Sequence, residues 1–307
     1  APCSIGVLTA VGHTHTEFFG SLESVLEEKA QLIRSLPESG VAVLNADDER
    51  VMSLAGSTKA RVFTFGFHTS ANVHATEPTF VHGENGEVVG AECSIAYEGT
   101  IVPIILHGIL GRHQVYAPLA AAAVGLARGM NLIAIGKALA NLQPLPGRMR
   151  LLAGVKQTAI IDDTYNSSPM AAVAALDTLA QLPSNGRKIA VLGDMAELGE
   201  YSEKGHTAVG EHAARIGLDM LVVVGAEAKH ILHAAEADGL PTEKTFAFDF
   251  APEAAKFIQS NMEPHDVILV KGSQRMRMEK VVKEVMAEPE RAEELLVRQD
   301  ARWLQKA

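Results

Sequence analysis

Five short runs of aliphatic and β-branched residues mark the second half of the chain: 158–161 (TAII), 188–192 (KIAVL), 219–224 (DMLVVV), 244–248 (KTFAF) and 266–270 (DVILV). Between them lie alanine-rich or amphipathic stretches with helical spacing, near 170–181, 203–216, 226–238 and 251–261, and a further helix starts near 276. Runs that are apolar throughout, instead of alternating, fit strands buried on both faces. Strands that alternate with helices of about 10–15 residues predict βαβ units. Right-handed crossovers then make a Rossmann-like α/β domain with a mostly parallel sheet.

The first half is mixed. Residues 4–9, 41–45 and 61–66 read as strands and 22–36 as a helix. Residues 72–107 predict a β meander with turns at HGENGE and YEGT, and helices follow at 113–128 and 132–141. The segment Gln143-Pro144-Leu145-Pro146-Gly147 has the composition of an inter-domain hinge. The expected domains are therefore 1–145 and 146–307. No internal repeat is visible. The last stretch, AEPERAEELLVRQDARWLQKA, reads as one charged helix with Trp303 as a docking side chain.

Composition narrows the function classes. The hydrophobic fraction of 47% can build two cores, and the 5% of aromatics leaves their interiors to alanine, valine and leucine. A net charge of −10 and the lack of a long lysine/arginine run argue against a nucleic-acid surface. Two cysteines, Cys3 and Cys93, with no CxxC, form neither a disulfide framework nor a zinc motif and fit a reducing cytoplasm. No apolar run approaches the roughly 18 residues of a membrane span. The start lacks a signal peptide's basic region and opens almost directly on a strand, which predicts a chain cut inside a domain.

The candidate chemistry gathers at strand ends. TAII ends in Asp162 and Asp163, followed by Tyr165, Asn166 and a Ser-Ser-Pro turn. Gly193-Asp194-Met195 follows the second strand, Gly225 the third and Lys271-Gly272-Ser273 the fifth. In open α/β sheets ligands bind at the carboxyl ends of strands beside helix N-termini. Gly and Asp are also ordinary turn and cap formers. A lysine closing an apolar strand is harder to dismiss, because it must reach a charge or solvent.

Seven segments together resemble one family, the ATP-dependent Mur ligases of peptidoglycan synthesis. They are VLTAVGHTHTEFFGSLESVLEEKAQLI, VLNADDE, LGRHQVYAPLAAAAVG, LPGRMR, IDDTYNSSPMAAVAAL, VLGDMAELGEYSEKGH and LVKGSQRMRME, in the family's order. IDDTYN and LGDMAELG point to the branch that adds D-alanyl-D-alanine to UDP-N-acetylmuramoyl-tripeptide. The resemblance implies an α/β chain: an incomplete central ATP-binding domain followed by the Rossmann-like carboxyl-terminal ligase domain. It also implies ATP and Mg2+ as cofactors, a cytoplasmic location without membrane insertion, and an acyl-phosphate intermediate attacked by the incoming amine.

The same resemblance assigns roles by position. His15 matches a magnesium-holding histidine, and Lys29 a lysine that becomes an anion on carbamylation and helps to organise metal. Read alone, Lys29 is a solvated lysine beside Glu27 and Glu28, and His15 a structural histidine. Asn45, His113 and Gln114 fall in nucleotide-contacting segments, although the family usually has His-Asn where this chain has His113-Gln114. Arg148 matches the arginine that reaches ATP phosphate, and Asp163 an acid that contacts the nucleotide. Tyr165 and Asn166 lie beside it. Lys271 and Ser273 match the segment that receives the dipeptide.

No GxxxxGK[ST] phosphate loop occurs. In the family that loop and the UDP-sugar-binding domain lie upstream. A gene fragment, an enzyme completed by a separate chain supplying the P-loop region, and a degenerate relative are the three accounts. A sister ligase with another acceptor, and a non-catalytic amino-acid- or dipeptide-binding module, are the alternatives in function. Residues 146–290 are expected to fold autonomously and to outlast 1–145 in limited proteolysis, because the missing part would expose a sheet edge.

Overall fold

A computed structural model gives the architecture and describes residues 3–13, 16–84 and 86–304. The chain divides into two compact units, Ala1–Gln143 and Pro144–Ala307.

The first unit contains β1 (Ile5–Leu8), α1 (Thr16–Phe19), α2 (Leu22–Arg34), β2 (Val41–Asn45), α3 (Glu49–Met52), β3 (Arg61–Gly66), β4 (Val73–Ala75), β5 (Thr79–His82), β6 (Val88–Tyr97), β7 (Thr100–His107), α4 (Arg112–Ala127) and α5 (Leu132–Leu139). Strands β1 to β4 pair in parallel, in chain order. Strand β6 then runs antiparallel to β4, β5 and β7. Buried side chains fall into two clusters. One joins Phe65, Ile95 and Leu106 to Val115 and Leu119 of α4. The other joins Leu44 to Val25, Ala30 and Ile33 of α2. With the partly buried Leu22 and Leu26, these α2 residues follow the three-and-four spacing of an amphipathic helix. Ser21 starts α2 by accepting from the Ser24 amide at 3.1 Å.

The second unit contains β8 (Arg150–Ala153), β9 (Ala159–Asp163), α6 (Pro169–Gln181), β10 (Lys188–Gly193), α7 (Ser202–Arg215), β11 (Met220–Val224), α8 (Lys229–Ala237), β12 (Thr245–Phe248), α9 (Ala251–Asn261), β13 (Val267–Lys271), α10 (Glu279–Val285), α11 (Ala292–Leu295) and α12 (Ala301–Leu304). Its sheet order is β12-β11-β10-β13-β9-β8, parallel except for β8. All five apolar runs became the parallel strands expected of them. Every residue of β11 and of β13 is buried.

The chain leaves β9 and skips one position to β10. It then walks outward through β11 and β12 and returns to fill the gap with β13. The sheet therefore changes direction beside β13, where a crevice opens at the carboxyl ends of α/β strands. The register Lys271↔Asp163 sets two of the candidate residues side by side there.

The tail differs from its sequence reading. Residues 287–304 are not one helix but a 3-10 turn (Pro289–Arg291), α11 and α12. The reason is burial: Ala292, Leu295 and Leu296 join the core made by α9, α10 and the sheet, and Arg298 breaks the run with φ +59°.

Candidate functional site

The crevice of the second unit is built on Asp162 and Asp163, the last residues of β9, both buried. Asp162 accepts from the Gly147 amide at 3.0 Å, the Thr164 amide at 3.2 Å and the Thr164 hydroxyl at 2.6 Å. It thus ties the linker to the strand end. Gly147 has φ +69° there, and a Cβ on it would lie 2.9 Å from the Tyr165 nitrogen, so glycine is required. Burial pushes the Asp162 carboxyl up to about 6, against the pull of those donors, and the neighbouring Asp163 adds to the rise.

The sign of this shift gives a test. Between about pH 4 and pH 6 the folded chain keeps a proton that the unfolded chain has released. Stability from this group is therefore present at low pH and falls as pH rises through that window. The unfolding free energy of the parent relative to Asp162→Asn is expected to drop by on the order of 3 kcal/mol from pH 4 to pH 7. Denaturant unfolding at the two pH values checks it, and a difference independent of pH would refute it.

Asp163 is the other anchor. Its Oδ2 accepts from Lys271 Nζ at 2.6 Å, and its Oδ1 from the Met149 amide at 3.2 Å. Lys271 also donates to the Asn166 carbonyl at 2.9 Å. Both side chains are nearly out of solvent, at 3% and 10% exposure, so the pair is a desolvated ion pair. The lysine that had to find a charge or solvent found a charge, on the next strand.

Above this pair lie the exposed groups. Tyr165 is 44% exposed, and the Arg148 guanidinium lies over its ring at 4.1 Å from the centroid. The Tyr165 amide donates to the Gly147 carbonyl at 3.0 Å, which locks the loop to the linker. Asn166 is exposed beside it. Ser273 is not: its hydroxyl accepts from the Ala196 amide at 2.7 Å, and its amide donates to the Asp194 carbonyl at 3.0 Å. It fastens the β13 turn to the β10 turn.

The β10 turn is held from below. Asp194 Oδ1 accepts from the Ala228 amide at 2.8 Å and packs against Gly225, whose φ of +110° suits only glycine. His206 is fully buried. Its Nε2 accepts from the Met195 amide at 2.9 Å, and its Nδ1 lies 2.8 Å from the Ser202 carbonyl, which fixes a neutral ring with the proton on Nδ1. Burial holds its pKa below the ordinary value, in keeping with that neutral ring.

In the first unit, the candidates Asn45, His113 and Gln114 sit at the end of β2 and the start of α4. Asn45 is buried; its amide donates to the Thr9 carbonyl at 2.8 Å and accepts from the Asp47 amide at 3.0 Å. Gln114 occupies the third position of α4 and accepts from the Leu110 amide at 2.9 Å, as a helix-start cap does. Both amides thus shape the backbone in this structure.

Asp47, Arg112 and Tyr116 were not singled out by the sequence reading, yet they interlock here. Asp47 accepts from the Phe67 and His68 amides and from the Tyr116 hydroxyl at 2.9 Å. Arg112 stacks on Phe67 at 4.0 Å. The motifs VLNADDE and LGRHQVY held this information, but only their proximity in the fold shows it.

Lys29 is exposed on α2, without a hydrogen bond or ion pair among the described residues. His15 lies outside those residues. Among the described residues no three of His, Cys, Asp and Glu stand together as a metal site. Asp162 and Asp163 both accept from protein donors.

Two family models match: "Mur ligase middle domain" over residues 1–125 and "Mur ligase, glutamate ligase domain" over 147–274. A UDP-N-acetylmuramoyl-tripeptide--D-alanyl-D-alanine ligase of Escherichia coli (strain K12) is 33% identical over 280 residues, covering 88% of this chain and 57% of the relative. The enzyme of that name from Mycobacterium tuberculosis (strain ATCC 25618 / H37Rv) is 34% identical over 291 residues, covering 89% of this chain and 56% of the relative. The chain thus spans little more than half the length of these relatives. Among solved structures, MurF from Acinetobacter baumannii has a TM-score of 0.79 at 28% identity, covering 92% of this chain and 59% of that one. MurF ligase from Thermotoga maritima in complex with ADP has a TM-score of 0.79 at 27% identity, covering 92% and 62%. No helix among the described residues is long and apolar enough to cross a membrane.

Proposed function

Because the chain belongs to the Mur ligase family, whose middle and carboxyl-terminal domains it carries, we propose that it supplies those domains of an ATP-dependent peptide ligase. That ligase adds D-alanyl-D-alanine to UDP-N-acetylmuramoyl-tripeptide in the cytoplasmic synthesis of peptidoglycan precursors. The observation that supports this most is local: the Asp163–Lys271 pair and the Arg148–Tyr165 stack share one crevice at the carboxyl ends of β9 and β13.

In this reaction a substrate carboxylate oxygen attacks the γ-phosphorus of ATP, and ADP leaves. The nitrogen of the incoming dipeptide attacks the acyl-phosphate carbonyl, loses a proton and expels inorganic phosphate. Charge accumulates on phosphoryl oxygens, and positioned cations stabilise it. Arg148 is exposed, with its guanidinium carbon 4.1 Å from the Tyr165 ring centroid, and a guanidinium fork can meet two phosphoryl oxygens at once. Asp163 and Lys271 act inward: they fix the Met149 amide and the Asn166 carbonyl, one on each side of Arg148 and Tyr165. Tyr165 and Asn166 face the incoming dipeptide, and Ser273 sets the turn beside them. Asn45, His113 and Gln114 shape the nucleotide end. Magnesium would serve as counter-charge to the phosphates, held by His15 and by Lys29 once carbamylated.

No GxxxxGK[ST] occurs in these residues, so the proposed activity requires a phosphate-cradling loop from outside them. Genetic complementation tests the proposal. The whole coding region that contains this sequence should restore growth to a bacterium conditionally lacking its D-alanyl-D-alanine-adding ligase, and Arg148→Ala should abolish the rescue. Growth restored only in strains lacking a different amino-acid-adding ligase would reassign the acceptor.

A further inference from the structure

Arg298 lies in the tail, beyond residue 274 where the matched carboxyl-terminal domain ends. Its side chain is buried, at 4% exposure. Nη1 donates to the Thr164 carbonyl at 2.9 Å and to Glu279 at 3.1 Å, while Nη2 donates to the Tyr165 carbonyl. Nε has no partner among the described residues. Glu279, 1% exposed, is shared with Arg277 Nε at 2.6 Å. Arg277 in turn donates to the Trp303 carbonyl at 2.9 Å. The Trp303 ring lies 5.4 Å from one guanidinium carbon and 5.7 Å from the other.

This arrangement is a poor way to gain stability. A buried Arg-Glu-Arg triad is generally no better than apolar side chains of the same volume. Arg277 and Arg298 both hold left-handed backbone, at φ +56° and +59°, which disfavours residues with a Cβ. Arg298 also leaves a buried donor unused. What the triad supplies is geometry. One planar fork grips two consecutive carbonyls of the loop that presents Tyr165, and Tyr165 is the platform for Arg148.

We propose that Arg298 is a positioning residue: anchored by Glu279 of α10 and by Trp303 of the tail, it clamps the Thr164 and Tyr165 carbonyls and so sets the Arg148–Tyr165 stack for ligation. The clamp stands on the geometry alone; its service to ligation rests on the function proposed above.

Native-state hydrogen exchange on the full chain tests the clamp without substrate. In the unsubstituted protein the amides of Gly147, Met149, Thr164 and Tyr165 should open together with those of Leu296 and Trp303, at lower denaturant than β10 and β11. Loop amides that stay protected after the tail amides have exchanged would overturn the clamp. Arg298→Lys keeps the charge beside Glu279 but loses the planar fork whose two nitrogens reach the two carbonyls separately. It should speed exchange at the loop amides about tenfold or more, with β10 and β11 within about twofold. Unchanged loop protection, or equal acceleration everywhere, would mark Arg298 as structural only.

In a ligation assay completed with the upstream region, R298K should lower kcat about tenfold and leave KM for ATP within about twofold. Full kcat with a loosened loop would overturn the positioning role. Absence of ligation by the unsubstituted protein would count against the proposed function and leave the exchange result to decide the clamp.

Discussion

Replacing Lys271 by methionine is expected to destabilise the carboxyl-terminal unit by about 3–5 kcal/mol, the usual cost of stranding a buried charge. Methionine matches the lysine stem in volume, so the loss comes from electrostatics and not from a cavity. The Asp163 carboxylate is 10% exposed, and its remaining contact would be the Met149 amide. The Asn166 carbonyl would lose its donor as well. Asp163→Asn should cost a similar amount, because it strands the Lys271 ammonium, which is 3% exposed, even though the amide oxygen can still accept from it. The double variant K271M/D163N should recover a large part of the K271M loss, since two neutral groups replace one orphaned ion. Denaturant unfolding of the four proteins, read in the transition of this unit, gives the coupling energy. Additive losses would mean that the two charges are independent, and the account of the crevice would fail.

Arg148→Ala should do the reverse, with little effect on stability and a large one on chemistry. The side chain is exposed and its ring stack is worth about 0.5–1 kcal/mol. If its fork holds phosphoryl oxygens, its removal should slow ligation about 10²- to 10³-fold. Arg148→Lys should fall between, keeping charge but losing the two-point geometry. Rates from the completed ligase, beside unfolding midpoints, separate the two effects. A full rate in Arg148→Ala would take phosphate binding away from this residue.

The parallel strands of the second unit were legible because each is buried on both faces and so reads as an unbroken apolar run. The strand ends were legible because Gly, Asp and Lys interrupt those runs. The Asp163–Lys271 pair was not, since 108 residues separate the partners and only the insertion of β13 beside β9 makes them neighbours. Asn45 and Gln114 were singled out for their amides, but sequence alone could not show that nearby backbone groups engage both. The tail was the least legible part. Arg298 and Glu279 resemble solvated surface charges in any periodicity, and their burial depends on meeting each other across the fold.

The measurement that tests the central claim most directly is phosphate release from ATP with UDP-N-acetylmuramoyl-tripeptide and D-alanyl-D-alanine both present. It would be made with this chain alone and again after adding a polypeptide that carries the upstream region. The account predicts release only in the completed mixture, dependent on both substrates and lost in Arg148→Ala. Release by the chain alone, or none from a completed and folded mixture, would contradict it.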